Sequence, residues 1–157
     1  VLVVKQQVNG VYRRVVTAID FSPMSFAAAQ SAAQMAPNAT LELVHTLEIP
    51  LAFKQAMLKA GTSQAEIDQY RRAKGQAARK ELRSACVTLS MPKESKIRVM
   101  HGDAATTLLR LARSGKIDLI ALGAQGRNAV SQIVLGSVAR KLIAKSSCDI
   151  LLVREPF

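Results

Sequence analysis

The chain has no tryptophan, and aromatic residues make up only 4% of it. A surface that stacks unpaired bases needs several exposed rings, and the sequence offers no such face and no recognised nucleic-acid reader motif. No apolar run reaches the ~18 residues that a membrane-spanning helix requires. The N-terminal VLVVKQ is too short for a secretory signal, with no basic stretch before it and no small-residue cleavage site after it. The two cysteines, Cys86 and Cys148, show neither a CxxC spacing nor a histidine cluster. That argues against a metal or disulfide centre and for two isolated thiols in a reducing, cytoplasmic setting. Catalytic signatures are missing as well. There is no Gly-x4-Gly-Lys-Ser/Thr loop, no serine or cysteine in a nucleophile elbow, and no acidic pair at metal-ligand spacing. His45 and His101 have no acid or nucleophile at a recognisable distance and read as polar strand ends. Acidic residues are few, 11 against 22 Lys and Arg, for a formal charge of +11.

What is present is an aliphatic, alanine-rich chain of 157 residues, 49% hydrophobic, long enough for one domain with a sizeable core. Residues 12–19 read as strand one. Ser22-Pro23 then supplies a helix cap and first helical residue, with Phe26, Ala29, Gln30 and Ala33 at helical spacing and a stop near Pro37. Strand two covers 41–45. Residues 46–62 are irregular or a short helix with Phe53, Met57 and Leu58 as its apolar face. Ser63-x-x-Glu66 is a capping box that opens a long helix to about Thr88, with Ile67, Tyr70, Ala77, Ala78, Leu82 and Ala85 inward. Arg71, Arg72, Lys74, Arg79, Lys80 and Arg83 wrap around that helix instead of forming one stripe, which reads as a solvated surface. A field that steers anions is the alternative.

Strand three covers 96–100, and Gly102-Asp103 provides a turn and a cap. Ala105, Leu108, Leu109 and Ala112 form the apolar face of the next helix, which stops at Gly115. Strand five covers 150–153. Strands alternating with helices demand a parallel sheet covered on both faces. The first residues, Val1-Leu2-Val3-Val4-Lys5, repeat the pattern of Ile150-Leu151-Leu152-Val153-Arg154: four aliphatics, then a base. They read equally as an extra edge strand or as the last strand of a preceding copy of the domain. Residues 1–11 are therefore set apart as strand and linker, and 12–157 as the domain.

The rest is organised around residues 119–139, LIALGAQGRNAVSQIVLGSVA. Strand four, 119–122, stops on Gly123, and Gly126 follows. An excursion then ends on Gly136-Ser137, where Val138, Ala139, Leu142 and Ile143 open a helix. Glycines let the backbone approach a guest closely, and the unpaired N–H groups of a helix's first turn point at it, so the pattern suits a polyanion.

The spacing Gly123-x2-Gly126-x9-Gly136-Ser137 resembles the nucleotide-binding signature of the universal stress protein family. The Asp20-Phe21-Ser22-Pro23 turn, the His101-Gly102-Asp103 turn and the ending Cys148-Asp149-Ile150-Leu151-Leu152-Val153 fall where that family has counterparts, so the resemblance runs from Tyr12 to Arg154. It implies an α/β fold: an open, doubly wound, five-stranded parallel sheet of order 3-2-1-4-5, helices on both faces, with the N-terminal run as an extra edge strand. In that order the helices leave strands one and four toward opposite faces, and open α/β sheets bind ligands at such a switch point.

The resemblance further implies that the ligand is ATP, or the related ADP or AMP. Its base would lie over Ala18 and Leu122, beside Val44. Asp20 would accept a hydrogen bond from an exocyclic amine or a sugar hydroxyl. Past Gly123, the phosphates would rest on the N–H groups of Gly126, Arg127, Gly136, Ser137 and Val138, with the Ser137 hydroxyl as a further donor and Arg127 as a cation. Any Mg²⁺ would be held mainly by the phosphates and water.

The expected function is a regulatory module that senses an adenine nucleotide with at most weak ATPase activity, since the phosphate-bridging lysine of P-loop NTPases is missing. Two alternatives stay open. One is a nucleic-acid-associated basic module, whose binding would collapse with salt; the other is a slow ATP hydrolase. Family members commonly form dimers through strand five, an aliphatic sheet edge. Residues 1–4 compete for that edge, which leaves a homodimer and a tandem pairing both open.

Overall fold

The computed structural model describes residues 1–6, 10–126 and 135–154. In chain order the elements are β1 (Leu2–Val3), β2 (Arg14–Ala18), α1 (Pro23–Met35), β3 (Thr40–Leu47), α2 (Leu51–Lys59), α3 (Gln64–Thr88), β4 (Lys96–His101), α4 (Ala104–Arg113), β5 (Leu119–Gly123), α5 (Ser137–Lys145) and β6 (Asp149–Val153). They build one six-stranded sheet of order β1-β6-β5-β2-β3-β4. The strands expected as one to five are β2 to β6; they run parallel and lie in the expected succession. β1 pairs with β6 antiparallel, Leu2 opposite Leu151 and Val3 opposite Ile150, so the sheet is mixed and not purely parallel.

A buried carboxylate accounts for that direction. Asp149, at the start of β6, accepts the N–H groups of Lys5 (2.7 Å) and Gln6 (3.1 Å) and the Tyr12 hydroxyl (2.7 Å). It pins the chain where it leaves β1, so β1 must run back along β6 from that point. Burial first, and then the Asp149 carboxylate, push the Tyr12 hydroxyl up to about 12. Asp118 makes a similar tie at the start of β2, accepting the N–H groups of Arg13 and Arg14 at 2.8 Å each.

Both faces of the sheet are covered, which is why Val15 and Val16, adjacent on β2, are both buried. On one face the small side chains Ala27, Ala28 and Ala32 bring α1 down onto Val15, Leu41, Leu119 and Leu151. Leu82 of α3 packs beside it with Ile19 and Leu43. On the other face Leu108 of α4 and Leu142 of α5 close over Val16, Ile120 and Ile150. α1 starts as its sequence requires, with the Ser22 side chain accepting from the Ser25 N–H and Pro23 in the first turn.

Two expectations need correction. In α3 the capping box of Ser63 and Glu66 forms, and Ile67, Ala78, Leu82 and Ala85 are buried, but Tyr70 and Ala77 are exposed. At about 100° per residue they fall on the flank of the stripe that the other four define. Residues 51–59 are helical, yet no residue of α2 is buried, and Phe53 and Leu58 are about half exposed. Phe53 instead meets the Tyr70 ring at 6.2 Å, above the sheet's cover and not within it. Cys148 is buried and Cys86 half-buried, both unpaired, with thiols pushed up by burial.

Candidate functional site

After β2 the chain turns to the α1 face, and after β5 it reaches the opposite face as α5. The C-terminal ends of β2 and β5 therefore diverge, and a cleft of about 140 Å³ opens between them. Each wall traces to a local choice of residue. β2 contributes Ala18 and, just past its end, Asp20. Phe21 then takes a left-handed backbone (φ 64), uncommon for a bulky residue, which swings the chain sharply into the α1 cap. Its ring lies 4.6 Å from that of His45 and 6.5 Å from that of Phe26. His45 in turn donates from Nδ1 to the Ile19 carbonyl at 2.8 Å. Asp20 Oδ1 accepts the Ser22 N–H at 3.0 Å and the Ser22 hydroxyl, so one oxygen braces the turn.

β5 contributes Leu122 and Gly123, and β3 contributes Val44. A Cβ on Gly123 would stand 2.8 Å from Met24 Cβ, so only glycine lets β5 end this close to α1. A Cβ on Gly126 would stand 3.2 Å from Asp20 Oδ2; the missing side chain makes room for that carboxylate. Gly136 closes the ring. Its N–H donates to the Ala124 carbonyl at 2.8 Å, and a Cβ there would stand 3.3 Å from the same oxygen. Gly126, Gly136, Ser137 and Val138 all line the cleft, while Arg127 lies outside the described residues.

The start of α5 differs from most of the other helix starts. Serine or aspartate side chains cap α1, α3 and α4, but α5 begins on Gly136 with no side-chain cap, and Ser137 is its first helical residue and not its cap. α2, after Pro50, also lacks such a cap, but no α2 residue lines the cleft. The cleft thus faces a helix end that its own N-cap residue, a glycine, does not cap with a side chain, and uncapped first-turn N–H groups are the kind of terminus that accepts an anion.

Further residues line the cleft that the sequence did not assign to it: Ser25, Thr46, Ala104 and Gln125, and Leu108, expected only as part of a helix's apolar face. Thr46 follows Val44 by two on one strand face, and Ala104 and Leu108 are one turn apart on α4, so periodicity alone carried the signal. Asp103 caps α4 by accepting the Thr106 hydroxyl and N–H, which hold its carboxyl below the usual range. Among the described lining residues Asp20 carries the sole charge, and no lysine or arginine contributes. No group of three or more histidine, cysteine or acidic side chains among the described residues is placed to hold a metal, and no described helix is long and apolar enough to cross a membrane.

The model of the universal stress protein family matches residues 11–154. The chain belongs to that family. Among curated universal stress proteins it is 32% identical to universal stress protein A homolog 1 of Coxiella burnetii, over 90% of this chain and 96% of that one. A universal stress protein from Lactobacillus plantarum has the same fold, with a TM-score of 0.71 at 19% identity over 92% of this chain and 99% of its own. A universal stress protein solved in complex with cAMP superposes with a TM-score of 0.59 at 25% identity, over 92% of this chain and 98% of its own.

Proposed function

We propose that the cleft binds an adenine nucleotide, ATP or its products ADP and AMP, as a sensed ligand that the protein does not hydrolyse efficiently. The observation that carries this reading is convergence. Asp20 from one strand end and the uncapped start of α5 from another line one cleft at the switch point, with the Gly126 Cβ position 3.2 Å from Asp20 Oδ2. Ala18, Val44 and Leu122 offer an apolar seat for the base, with Gly123 at its rim. Asp20 is placed to accept from the nucleoside, and the N–H groups of Gly126, Ser137 and Val138 face the phosphates; the Gly136 N–H, expected from the sequence to join them, is instead taken by the Ala124 carbonyl. The cleft is smaller than the ~300–1,000 Å³ of typical small-molecule sites. It fits the nucleoside end, with the phosphates running out along the glycine rim. Mg²⁺ arrives with those phosphates and is held by them and by water.

Isothermal titration with ATP tests the assignment. Saturable binding that Gly126→Asp abolishes supports it. Binding that survives in a variant shown to be folded by circular dichroism removes the site from this cleft.

A second reading is favoured by the relative solved with cAMP together with the absence of a cation among the described lining residues. A singly charged phosphodiester needs less counter-charge than a triphosphate. Displacement of one nucleotide by the other, titrated both ways, ranks the two. In either case the module works as a homodimer or as one of a tandem pair in the reducing cytoplasm. The edge of β6 is already taken by β1, so pairing through β6 requires β1 to move.

A further inference from the structure

The cleft occupies one half of a sheet face, and the other half carries a feature that nucleotide binding does not use. On the face covered by α4 and α5, the register sets Arg14 beside Thr40, and Val16, Glu42 and Lys96 in one row across β2, β3 and β4. Arg98 follows Lys96 by two and shares its face. With Lys116, which follows α4, these side chains line a groove of about 630 Å³ at the N-terminal ends of the strands, with Leu111 and Ile117 among its apolar lining.

Four cations there face one acid. Glu42 is engaged by Arg98 at 2.8 Å and is only 14% exposed. Arg14, Lys96 and Lys116 are exposed, and among the described residues no ion pair engages them. The nearby Asp118 is committed to the main-chain N–H groups of Arg13 and Arg14. β4 is also the end strand of the sheet, with no described strand beyond it.

We propose that this groove docks an extended acidic segment of a partner protein. In an extended chain, side chains two apart share a face, so carboxylates at alternate positions meet Lys96 and Arg98, which have the same spacing. An end strand offers main-chain groups with which such a segment can pair. The apolar part of the lining is aliphatic and holds no ring, which favours a peptide over unpaired bases, whose binding rests on stacking.

The test uses the full chain and a fluorescent peptide of alternating glutamate and valine, followed by anisotropy at low salt. The glutamine counterpart of that peptide and a short single-stranded DNA serve as comparators. The glutamate peptide is expected to bind and the glutamine peptide not to. Lys96→Glu combined with Lys116→Glu should weaken binding about tenfold or more. Arg72→Glu combined with Arg79→Glu changes the net charge equally on exposed positions of α3 and should alter it less than about twofold. Circular dichroism verifies that both double variants fold. Absence of peptide binding overturns the proposal, as does equal weakening in the two double variants, which would mean net charge alone. DNA that binds more tightly than the peptide and is lost in the groove variant also overturns it, in favour of nucleic acid.

Discussion

The two ends of one sheet face make opposite electrostatic choices. At the C-terminal ends of the strands, the cleft proposed for an anionic ligand has a single charged side chain among its described residues, and that is an acid, Asp20. At the N-terminal ends, the groove gathers Arg14, Lys96, Arg98 and Lys116 around a single carboxylate. The formal charge of +11 therefore says little about the ligand proposed for the cleft. Where the backbone supplies directed donors, as at the start of α5, an anion is held by geometry at short range. Where side chains supply the charge, attraction is longer in range, less directional and more readily screened.

This contrast can be broken by making each site answer to the other's probe. The largest effect is expected from Gly136→Asp, which puts a side chain 3.3 Å from the Ala124 carbonyl and a second carboxylate in the glycine rim. ATP affinity should fall by about a hundredfold or more, roughly 3 kcal/mol, while the acidic peptide titrates as before; calorimetry and anisotropy on one preparation read both. Next is the groove variant, Lys96→Glu with Lys116→Glu. It should leave ATP affinity within about twofold, because neither residue lines the cleft. A parallel loss of ATP binding would merge the two sites into one field. Smaller again is the effect of ionic strength. Between about 0.05 and 0.2 M salt, peptide affinity should drop several-fold and ATP affinity by less, measured in the same titrations.

The smallest effect lies outside both sites. Tyr12→Phe removes the hydroxyl that donates to Asp149 and should cost about 1–2 kcal/mol in urea denaturation with both affinities unchanged. The sign with pH follows from the raised value. A tyrosine held at about 12 in the fold and near 10 unfolded adds stability that is complete below pH 10 and lost as pH rises through 12. Between those limits the native chain should weaken and the Tyr12→Phe chain should lack this component.

Much of the fold was legible because its signals are local. Ser22-Pro23 and Ser63-x-x-Glu66 announce helix starts through contacts a few residues long, and the glycines between β5 and α5 mark a backbone that must pass close to something. The features that stayed hidden depend on partners distant in sequence. The direction of β1 is set by Asp149, more than a hundred residues away in the chain, and no pattern within residues 1–6 encodes it. Tyr70 and Ala77 satisfied a loose helical spacing, but the side of α3 that faces the sheet is chosen by the strands beneath it. α2 was apolar enough to suggest burial, yet the sheet beneath is already covered by α1 and α3. The groove was the least legible of all. Its cations come from three separate stretches of chain, each unremarkable by itself, and only the strand order sets Arg14, Lys96 and Lys116 around one hollow. The sequence had drawn attention instead to the arginines of α3, of which Arg72, Arg79 and Arg83 are exposed and Arg71 is half-buried beside Asp68.

Phe21 has a consequence for engineering. Its left-handed backbone is a strained pivot, and the ring wedged near His45 and Phe26 keeps that pivot from relaxing. Glycine at this position would ease the hinge and free the wedge in one stroke. Such a chain should resist heat as well as its parent while the turn that carries Asp20 swings more widely, because the aromatic pile steadies from outside what the Ser22 hydrogen bonds to Asp20 brace from within.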